Sequence, residues 1–343
     1  MRQEKVKTME ELASVSGISR PTLSKFFNDP QSVRATTRAR IEQALERYDY
    51  TPNVYAINQN RQSTRNIGIV VPYLADPFFA EVGRNLEILC SSAGFNPIVL
   101  SSHGDPKREI ENLESLRGIR PAGVLLAALG RRSQRDAIEE FTQDVATVLF
   151  DYDVEGVGDA MFGTDHAQST GLMVEYLCRS GEAPVLFEMA RAPNPNANKR
   201  RAAYEAAMRA AGYEPMILAV EGTGWAFEEI AHREAMRLIA ERRLPTNTVF
   251  CSNDRLAIGF LAAAYESGLR VGVGEGCALR VAGHDDHPFS RFTCPSLTTV
   301  SQDYDQIAGS SLDQLLTIIA SGERPAVKRS TLFNGSLVMR KSA

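Results

Sequence analysis

The sequence predicts an α/β protein in which an N-terminal three-helix head, containing a helix-turn-helix, precedes two doubly wound parallel-sheet lobes. Residues 8–28 carry two short helical patterns separated by a tight turn. From residue 67 onward, short apolar runs alternate with helix-like segments, which is typical of parallel sheets covered on both faces. The alternation repeats too often for one small sheet, so we expect two lobes whose strand ends face a shared cleft.

The helix-turn-helix is predicted from the segment TMEELASVSGISRPTLSKFFN, whose first half has apolar residues at helical spacing. Gly17 follows at a position where a left-handed residue ends a helix. Ser19 is placed to cap the second helix, and Pro21 falls in its first turn, where a missing N–H costs nothing. The residues expected to pack between the two helices are Ala13, Ile18 and Leu23.

The second helix leaves Arg20, Thr22, Ser24 and Lys25 on or near its exposed side. Such side chains donate hydrogen bonds to phosphates and to the edge of guanine, so this face suits the major groove of DNA. An ordinary helical hairpin with a solvated polar face has the same pattern. The segment alone therefore leaves both interpretations open.

A third helix is predicted over Arg38–Tyr48, with Thr36 or Thr37 as its cap. Its apolar stripe, which would face the first two helices, consists of Ile41, Ala44, Leu45 and Tyr48. The segment Val54–Arg61 is expected to be a hinge helix too short to fold alone in water. The predicted domains are a head over 1–51, a hinge and linker over 52–66, and a body over 67–343.

Composition and charge restrict the class of protein. Hydrophobic residues make up 43% of the chain and charged residues 23%, as in ordinary globular proteins. The sequence has no apolar run near the roughly 18 residues of a membrane span and no secretory signal at its start, which predicts a cytoplasmic protein without a membrane partner. Residues 1–65 hold eleven Lys and Arg against seven Asp and Glu, although the whole chain has a net charge of −4. A basic head on an acidic body favours a nucleic-acid-binding module.

The order of motifs resembles that of the LacI/GalR family of repressors. The resemblance covers nearly the whole chain and is carried by TMEELASVSGIS, TLSKFFN, ARIEQALERYDYTPN, NIGIVVP, NDRLAIG, GHDD and SLTTVSQD. It implies a homodimer that binds a pseudo-palindromic operator; family tetramers carry a further C-terminal leucine helix that this sequence does not show. The DNA contacts it implies are Thr8, Ser19, Arg20, Pro21, Thr22, Ser24, Lys25, Asn28, Asn53, Ala56 and Gln59.

Gln59 is a departure from the family pattern. Hinges of the family usually carry a leucine at this position, which wedges into a minor-groove step and kinks the DNA. A glutamine gains little by intercalating, although its amide can bond acceptors on the groove floor. The kink is therefore in question for this chain.

The body resembles a type I periplasmic-binding-protein fold, in which the chain crosses between two lobes three times. We expect the crossings near Asp165, Pro295 and Gly322. The first lobe would then comprise about 67–165 and 296–321, and the second about 166–295 and 322–343.

Ligands of open α/β sheets bind beyond the carboxyl ends of the strands, where this sequence places carboxylates, Arg, Asn and aromatic residues. Carboxylates accept paired hydroxyls, and an aromatic ring packs on a sugar face, so the set suits a polyhydroxylated effector. The residues chosen on chain position, with the family resemblance, are Tyr73, Phe79, Asp151, Arg200, Trp225, Asn253 and Asp285. Three neighbours are interpreted otherwise, with Asp254 as a helix cap, Asp286 as solvated and Arg201 as pointing outward.

These features predict a ligand-responsive, DNA-binding transcriptional regulator, taken as a repressor, that senses a sugar-like or polyol effector. Neither a metal site, a cofactor nor a catalytic motif is predicted: the five cysteines are scattered, with no CxxC pair, and no GxSxG elbow occurs. One alternative is a sugar-binding protein without a DNA-binding role. Another is a cytosolic sugar-modifying enzyme, which would need paired carboxylates across the cleft, such as Asp151 and Asp285.

Overall fold

The computed structural model describes residues 6–28, 30–50 and 64–343, with the side chain of Asn28 excepted. The chain divides into two compact units, Met1–Thr64 and Arg65–Ala343. The predicted hinge, with Asn53, Ala56 and Gln59, lies outside the described residues. Among the described residues, no helix is both long and apolar enough to cross a membrane.

The first unit, called the head below, contains three α-helices among its described residues, which are α1 (Met9–Ser16), α2 (Arg20–Asn28) and α3 (Ala35–Tyr48). Thr8 begins α1 with a capping box, because its hydroxyl accepts from the Glu11 N–H at 3.1 Å and the Glu11 carboxylate accepts from the Thr8 N–H at 3.3 Å. Gly17 ends α1 in a left-handed conformation with φ of 66°, as predicted. Ser19 accepts from the Thr22 N–H at 3.4 Å and so caps α2.

The core of the head is formed where the three helices meet. Ile18 and Leu23 are buried as predicted, but the first helix contributes Leu12, whereas Ala13 is only half-buried. The predicted start of α3 is wrong, since the helix begins at Ala35 directly after an Arg34 that makes no side-chain cap. The threonines therefore lie inside the first turn. The buried residues of this core are Val6, Leu12, Ile18, Leu23, Phe26, Val33, Ile41, Ala44 and Tyr50.

The second unit, called the body below, contains twelve strands and eight α-helices among its described residues. The strands are β1 (Asn66–Val71), β2 (Asn96–Ser101), β3 (Gly123–Leu126), β4 (Thr147–Phe150), β5 (Ala160–Thr164), β6 (Val185–Met189), β7 (Met216–Val220), β8 (Thr248–Cys251), β9 (Arg280–Ala282), β10 (Thr299–Ser301), β11 (Arg329–Phe333) and β12 (Ser336–Val338). The helices are α4 (Pro77–Ser92), α5 (Pro106–Gly118), α6 (Arg135–Asp144), α7 (His166–Ser180), α8 (Asn196–Ala210), α9 (Phe227–Ala240), α10 (Asp254–Glu266) and α11 (Tyr304–Ser321).

The first lobe is a six-stranded parallel sheet with strand order β11-β5-β4-β3-β1-β2. Alternate residues of each strand face opposite sides, so Ile69 and Val71 pack with α4 and α11, while Val70 packs with α5 and α6. Helices α4 and α5 each begin with an aspartate cap followed by proline, at Asp76 and Asp105.

The second lobe is a four-stranded parallel sheet with order β7-β6-β8-β9, extended by the antiparallel pair of β10 and β12. Phe187 of β6 packs with α9 and α10, and its neighbour Leu186 packs with α7 and α8. Strand order reverses between β1 and β3 in one lobe and between β6 and β8 in the other. Such switch points leave a crevice at the carboxyl ends of the strands.

Two of the three predicted crossings between lobes are wrong. The chain leaves the first lobe after β5, next to Asp165, as predicted. The second crossing falls after β10 rather than near Pro295, because β10 pairs with β12 and the loop after β9 bridges to Thr298 and Ser301. The third falls after β11 rather than near Gly322, because β11 pairs with β5 along its length. The predicted lobe limits at 295 and 321 are corrected accordingly.

Gly259 lies where α10 crosses α9, and a Cβ added there would overlap the carbonyl oxygen of Glu228. Because a backbone atom cannot move aside cheaply, Gly259→Ala is expected to lower the free energy of unfolding by about 3 kcal/mol. Urea unfolding followed by circular dichroism measures this change. Gly171→Ala is the matched control, since its helical Cβ meets nothing within 4 Å. An equal destabilisation of both variants would contradict the packing argument.

Candidate functional sites in the cleft and the head

A cavity that is partly open to solvent lies between the two lobes of the body. It is lined from both lobes by residues that follow the carboxyl ends of β1, β4, β6, β7, β8 and β9. The lining residues are Asp76, Phe78, Asp151, Met189, Ala192, Asn194, Ala197, Arg200, Trp225, Phe227, Ser252, Asn253 and Asp285. Five of the seven predicted effector residues are among them.

Arg200 and Asp285 form a buried ion pair at the cavity, with Nη2 and Oδ1 3.0 Å apart. Arg200 is only 6% exposed, and its Nη1 also donates to the carbonyl oxygen of Ser252 at 2.6 Å. Burial raises the pKa of the Asp285 carboxyl, while Arg200 acts in the opposite direction. The pair therefore presents an arginine and a carboxylate held in fixed positions.

Asp285 is also bonded to the segment that crosses between the lobes. Gln302, which follows β10, donates from Nε2 to Asp285 Oδ1 at 2.8 Å, and its Oε1 accepts from the Thr164 hydroxyl at 2.6 Å. Thr164 ends β5 at the first crossing. The Tyr304 hydroxyl donates to the Asp285 carbonyl oxygen. A cavity residue is thus joined by hydrogen bonds to two of the three crossings.

Two buried histidines contact the Arg200–Asp285 pair. His166 accepts from Arg200 Nε at 3.5 Å, and His284 Nδ1 lies 3.1 Å from Asp285 Oδ1. Burial and the nearby Arg200 lower the pKa of both imidazoles well below the usual value. Both rings are consequently neutral, so His284 donates from Nδ1 to the carboxylate and accepts from Ser169 at Nε2, 3.1 Å away.

Asp151 approaches the cavity from the first lobe in a left-handed conformation, with φ of 68°. Asn196 Nδ2 from the second lobe donates to its Oδ1 at 2.8 Å. Burial raises the pKa of Asp151 to about 7, although Arg200 and Lys199 act in the opposite direction. This carboxylate is held by a neutral amide rather than by a cation.

Asp76 and Arg255 form an ion pair across the cleft at 3.2 Å. Arg255 belongs to the second lobe, and its Nε and Nη2 donate to the two carboxylate oxygens of Glu228 in the same lobe at 2.7 and 2.6 Å. Asp76 caps α4 in the first lobe, and burial raises its pKa to about 6 against the influence of Arg255. The Arg255 side chain therefore links the two lobes at the rim of the cavity.

Trp225 forms an aromatic contact between the two lobes. Its ring stacks on Tyr73 of the first lobe, with centroids 5.2 Å apart, and meets the edge of Phe79 at 6.1 Å. Tyr73 and Phe79 therefore support Trp225 but are not on the cavity wall, and Phe79 is only 1% exposed. The neighbouring Phe78 lines the wall instead.

Asn253 and Asp254, which follow β8, differ in part from the prediction. Asn253 caps α10, accepting from the Leu256 N–H at 2.8 Å, while it lines the cavity. Asp254 is not the cap, because its carboxylate accepts from the His287 N–H and from the hydroxyls of Ser290 and Thr299.

Two further interpretations of neighbouring residues need comment. Asp286 is not solvated, since it pairs with Arg340 at 2.6 Å. Arg201 pairs with the buried Glu188 and stays partly exposed, outside the cavity lining.

Sequence reasoning did not assign a role to Arg255 or Gln302. Arg255 stands in the first turn of α10, where the helix dipole disfavours a cation, and that position is a signal that an acidic partner lies nearby. Gln302 carries no comparable signal, because the short polar strand before it was not predicted. Asp76 and Phe78, which also line the cavity, were not among the residues predicted from the sequence.

In the head, the predicted DNA-facing residues lie on the outer side of α2. Arg20, Pro21 and Lys25 are exposed, as is the capping residue Ser19, and Thr22 and Ser24 are half-buried. Arg20 pairs with Glu10 at 2.9 Å, both side chains being more than 60% exposed. Exposed pairs of this kind contribute at most about 1 kcal/mol, so Arg20 can exchange Glu10 for a phosphate or base at little cost.

Removing the arginine from the Arg200–Asp285 pair leaves a buried carboxylate without its cation. Arg200→Met is therefore expected to cost about 3–5 kcal/mol of folding free energy near neutral pH. The cost should shrink in acid, because the isolated Asp285 takes up a proton more readily. Thermal unfolding near neutral pH and in acid measures this cost. Arg179→Met, at a side chain 79% exposed, is the control and should change little; a cost independent of pH would contradict the charge argument.

Two protein-family models match different parts of the chain. Residues 8–53 match the model described as bacterial regulatory proteins, lacI family. Residues 175–343 match the model described as a periplasmic binding protein-like domain.

Similar proteins extend this match to nearly the full length. The ribose operon repressor of Escherichia coli (strain K12) is 28% identical over 338 residues, covering 98% of this chain and 99% of that protein. The HTH-type transcriptional repressor PurR of Haemophilus influenzae (strain PittEE) is 27% identical over 341 residues, covering 98% of each.

Among solved structures, the Lac repressor dimer bound to operator and the anti-inducer ONPF has a TM-score of 0.81 and 25% identity, with 99% of each chain covered. The Lac repressor bound to ONPG in its repressed state has a TM-score of 0.83 at 24% identity, covering 99% of this chain and all of that one. Both sequence relatives, the ribose operon repressor and PurR, are repressors. The chain therefore matches the lacI-family model over residues 8–53, and over nearly its full length it is similar to transcriptional repressors.

Proposed function

We propose that this protein is a cytoplasmic transcriptional repressor that binds a pseudo-palindromic operator as a homodimer and responds to a sugar-like or polyol effector. The observation that carries the proposal is the combination, in one chain, of a head with an exposed basic recognition helix and a body with a polar interlobe cleft. The relatives matched over 98% of the chain are a ribose operon repressor and PurR repressors. The similar Lac repressor structure is a dimer bound to operator.

On the DNA side, α2 is the element expected to enter the major groove. Lys25 and Arg20 can each donate to a phosphate or to guanine, while the Thr22 and Ser24 hydroxyls suit phosphates. Thr8 accepts the Glu11 N–H with its hydroxyl oxygen, so its hydroxyl proton remains available to a phosphate oxygen. The hydroxyls of Ser19 and Thr22 are hydrogen-bonded to each other at 2.8 Å, which leaves one of their two protons available. Two heads related by a two-fold axis would read two half-sites.

On the effector side, the cavity offers the groups that a polyhydroxylated molecule needs. Asp151 and Asp285 accept hydroxyl protons, while Arg200 and Asn253 donate, and Trp225 presents an aromatic face. A ligand bonded to Asp285 would act on Gln302 and Thr164, and so on the crossings that set the angle between the lobes.

Lys25→Ala is expected to weaken operator binding because it removes a cation from the recognition surface. If Lys25 neutralises one phosphate, the slope of log affinity against log salt should become shallower by about 0.9 per half-site. If it reads guanine, discrimination between operator variants should fall by about 1–3 kcal/mol. Fluorescence anisotropy over a salt series measures both, with Lys107→Ala in the body as control. Unchanged affinity would remove Lys25 from the interface.

Trp225 is the single tryptophan of the sequence and lines the cavity, so effector binding should change intrinsic fluorescence directly. A panel of pentoses, hexoses and alditols is expected to contain a ligand that shifts the emission and alters operator affinity. Asp285→Asn should weaken that ligand by at least about tenfold while sparing operator binding, since a hydrogen-bond acceptor is replaced. Retained ligand affinity in Asp285→Asn would contradict the assignment of the cleft.

A further inference from the structure

We propose that the cleft selects an uncharged polyhydroxylated ligand and excludes the corresponding phosphorylated or carboxylated molecule, with Asp151 as the residue that sets this selectivity. The inference rests on the proposed function of the cleft as the effector site and specifies the chemical class that it accepts.

The cation inside the cavity, Arg200, already uses three of its five N–H groups. It donates from Nη2 to Asp285, from Nη1 to the Ser252 carbonyl oxygen and from Nε to His166. An anion that took the place of Asp285 would break a buried ion pair and leave the displaced carboxylate unpaired, which costs about 3–5 kcal/mol.

The cations around the cavity are engaged as well. Arg255 bonds both oxygens of Glu228, the Trp225 carbonyl oxygen and Asp76, and it lies 5.0 Å from the centroid of the Phe227 ring. Lys199 lies over the Tyr152 ring, with its Nζ 4.5 Å from the centroid. Neither is directed into the cavity as a free phosphate-binding group.

Two helix N-termini at the cavity, those of α4 and α10, have side-chain caps, whereas α8 and α9 begin there without one. At α8 the Asp151 carboxylate is bonded to the first residue of the helix, Asn196. A helix start with free N–H groups would favour a phosphate. Here Asp76 accepts from the Phe78 N–H of α4 at 3.1 Å, and Asn253 accepts from the Leu256 N–H of α10 at 2.8 Å. The first of these caps is itself a carboxylate, which adds repulsion for any anion nearby.

Asp151 remains as the cavity carboxylate without a cationic partner within ion-pair distance among the described residues. It is only 5% exposed, and its Oδ1 accepts from Asn196. The charged groups that act on it are Arg200 and Lys199, which favour its ionisation, and Asp285 and Asp76, which oppose it. A ligand hydroxyl donating to Asp151 would supply the missing partner, whereas a second anion would increase the repulsion.

Asp151→Asn tests this charge balance without any ligand. Asparagine keeps an acceptor for Asn196 and tolerates the left-handed backbone. Burial raises the pKa of Asp151 to about 7 in the folded protein. Between about pH 4 and pH 7 the folded protein therefore keeps a proton on Asp151 that the unfolded chain releases. As a result, Asp151 lowers the stability of the fold more and more as the pH rises towards 7. The melting temperature of the variant should exceed that of the parent by about 5 °C near pH 8 and by less near pH 5. Asp136→Asn, at a side chain 98% exposed, is the control.

The second arm uses matched ligands in calorimetric titrations: D-ribose with D-ribose 5-phosphate, and D-glucose with D-glucose 6-phosphate and D-glucuronate. For whichever sugar binds the parent protein, the charged partner should bind at least about 100-fold more weakly, and Asp151→Asn should reduce that ratio at least about tenfold. A merely structural role for Asp151 would not change the ratio.

The outcomes separate the inference from the proposed function. A phosphorylated sugar that binds as tightly as its parent sugar overturns the charge selectivity but leaves an effector cleft in place. A less stable Asp151→Asn near pH 8 also overturns the inference, because Asp151 would then have a cationic partner. If none of the sugars binds, the sugar effector and its selection by the cleft are both wrong, and a stabilised Asp151→Asn then supports only the charge balance around Asp151.

Discussion

The buried pair of Arg200 and Asp285 is the interaction on which the arrangement of the cleft depends. Two charges removed from water are costly, and such a pair persists only when further hydrogen bonds complete it. Here the carboxylate also receives Gln302 and His284, and the guanidinium also donates to the backbone of Ser252. The same atoms that would face a ligand are therefore built into the crossing between the lobes, so recognition and lobe orientation share one set of bonds.

The two lobes also hold each other through side chains that belong to both. Trp225 packs against the apolar cores of the two lobes, and Gly104 is required beside it because a Cβ there would crowd the indole nitrogen. Arg255 forms an ion pair with Glu228 in its own lobe and a second ion pair with Asp76 across the cleft. These contacts join the two lobes, so any ligand that changes the angle between the lobes changes the free energy of the contacts and acts on the whole body.

Much of the body was predictable because each of β1 to β9 is a local apolar run, and the carboxyl ends of parallel strands gather at one edge. This reasoning placed Asp151, Arg200, Trp225, Asn253 and Asp285 at the cavity. It could not separate the adjacent Phe78 and Phe79, since one residue of helix rotation decides which ring faces the cavity. The late strands β10, β11 and β12 are short, and their partners are distant in sequence, so local pattern carried no information about the last two crossings.

The late return of the chain to the first lobe bears on how the protein is made. Helix α11 covers one face of the first sheet, where Ile69 and Phe162 are buried, and β11 completes its edge beside β5. Both elements leave the ribosome after the entire four-stranded sheet of the second lobe. Until then the apolar face that α11 covers is only partly covered, by α4, and the edge of β5 is unpaired. A nascent chain in this state is prone to aggregate or to need a chaperone.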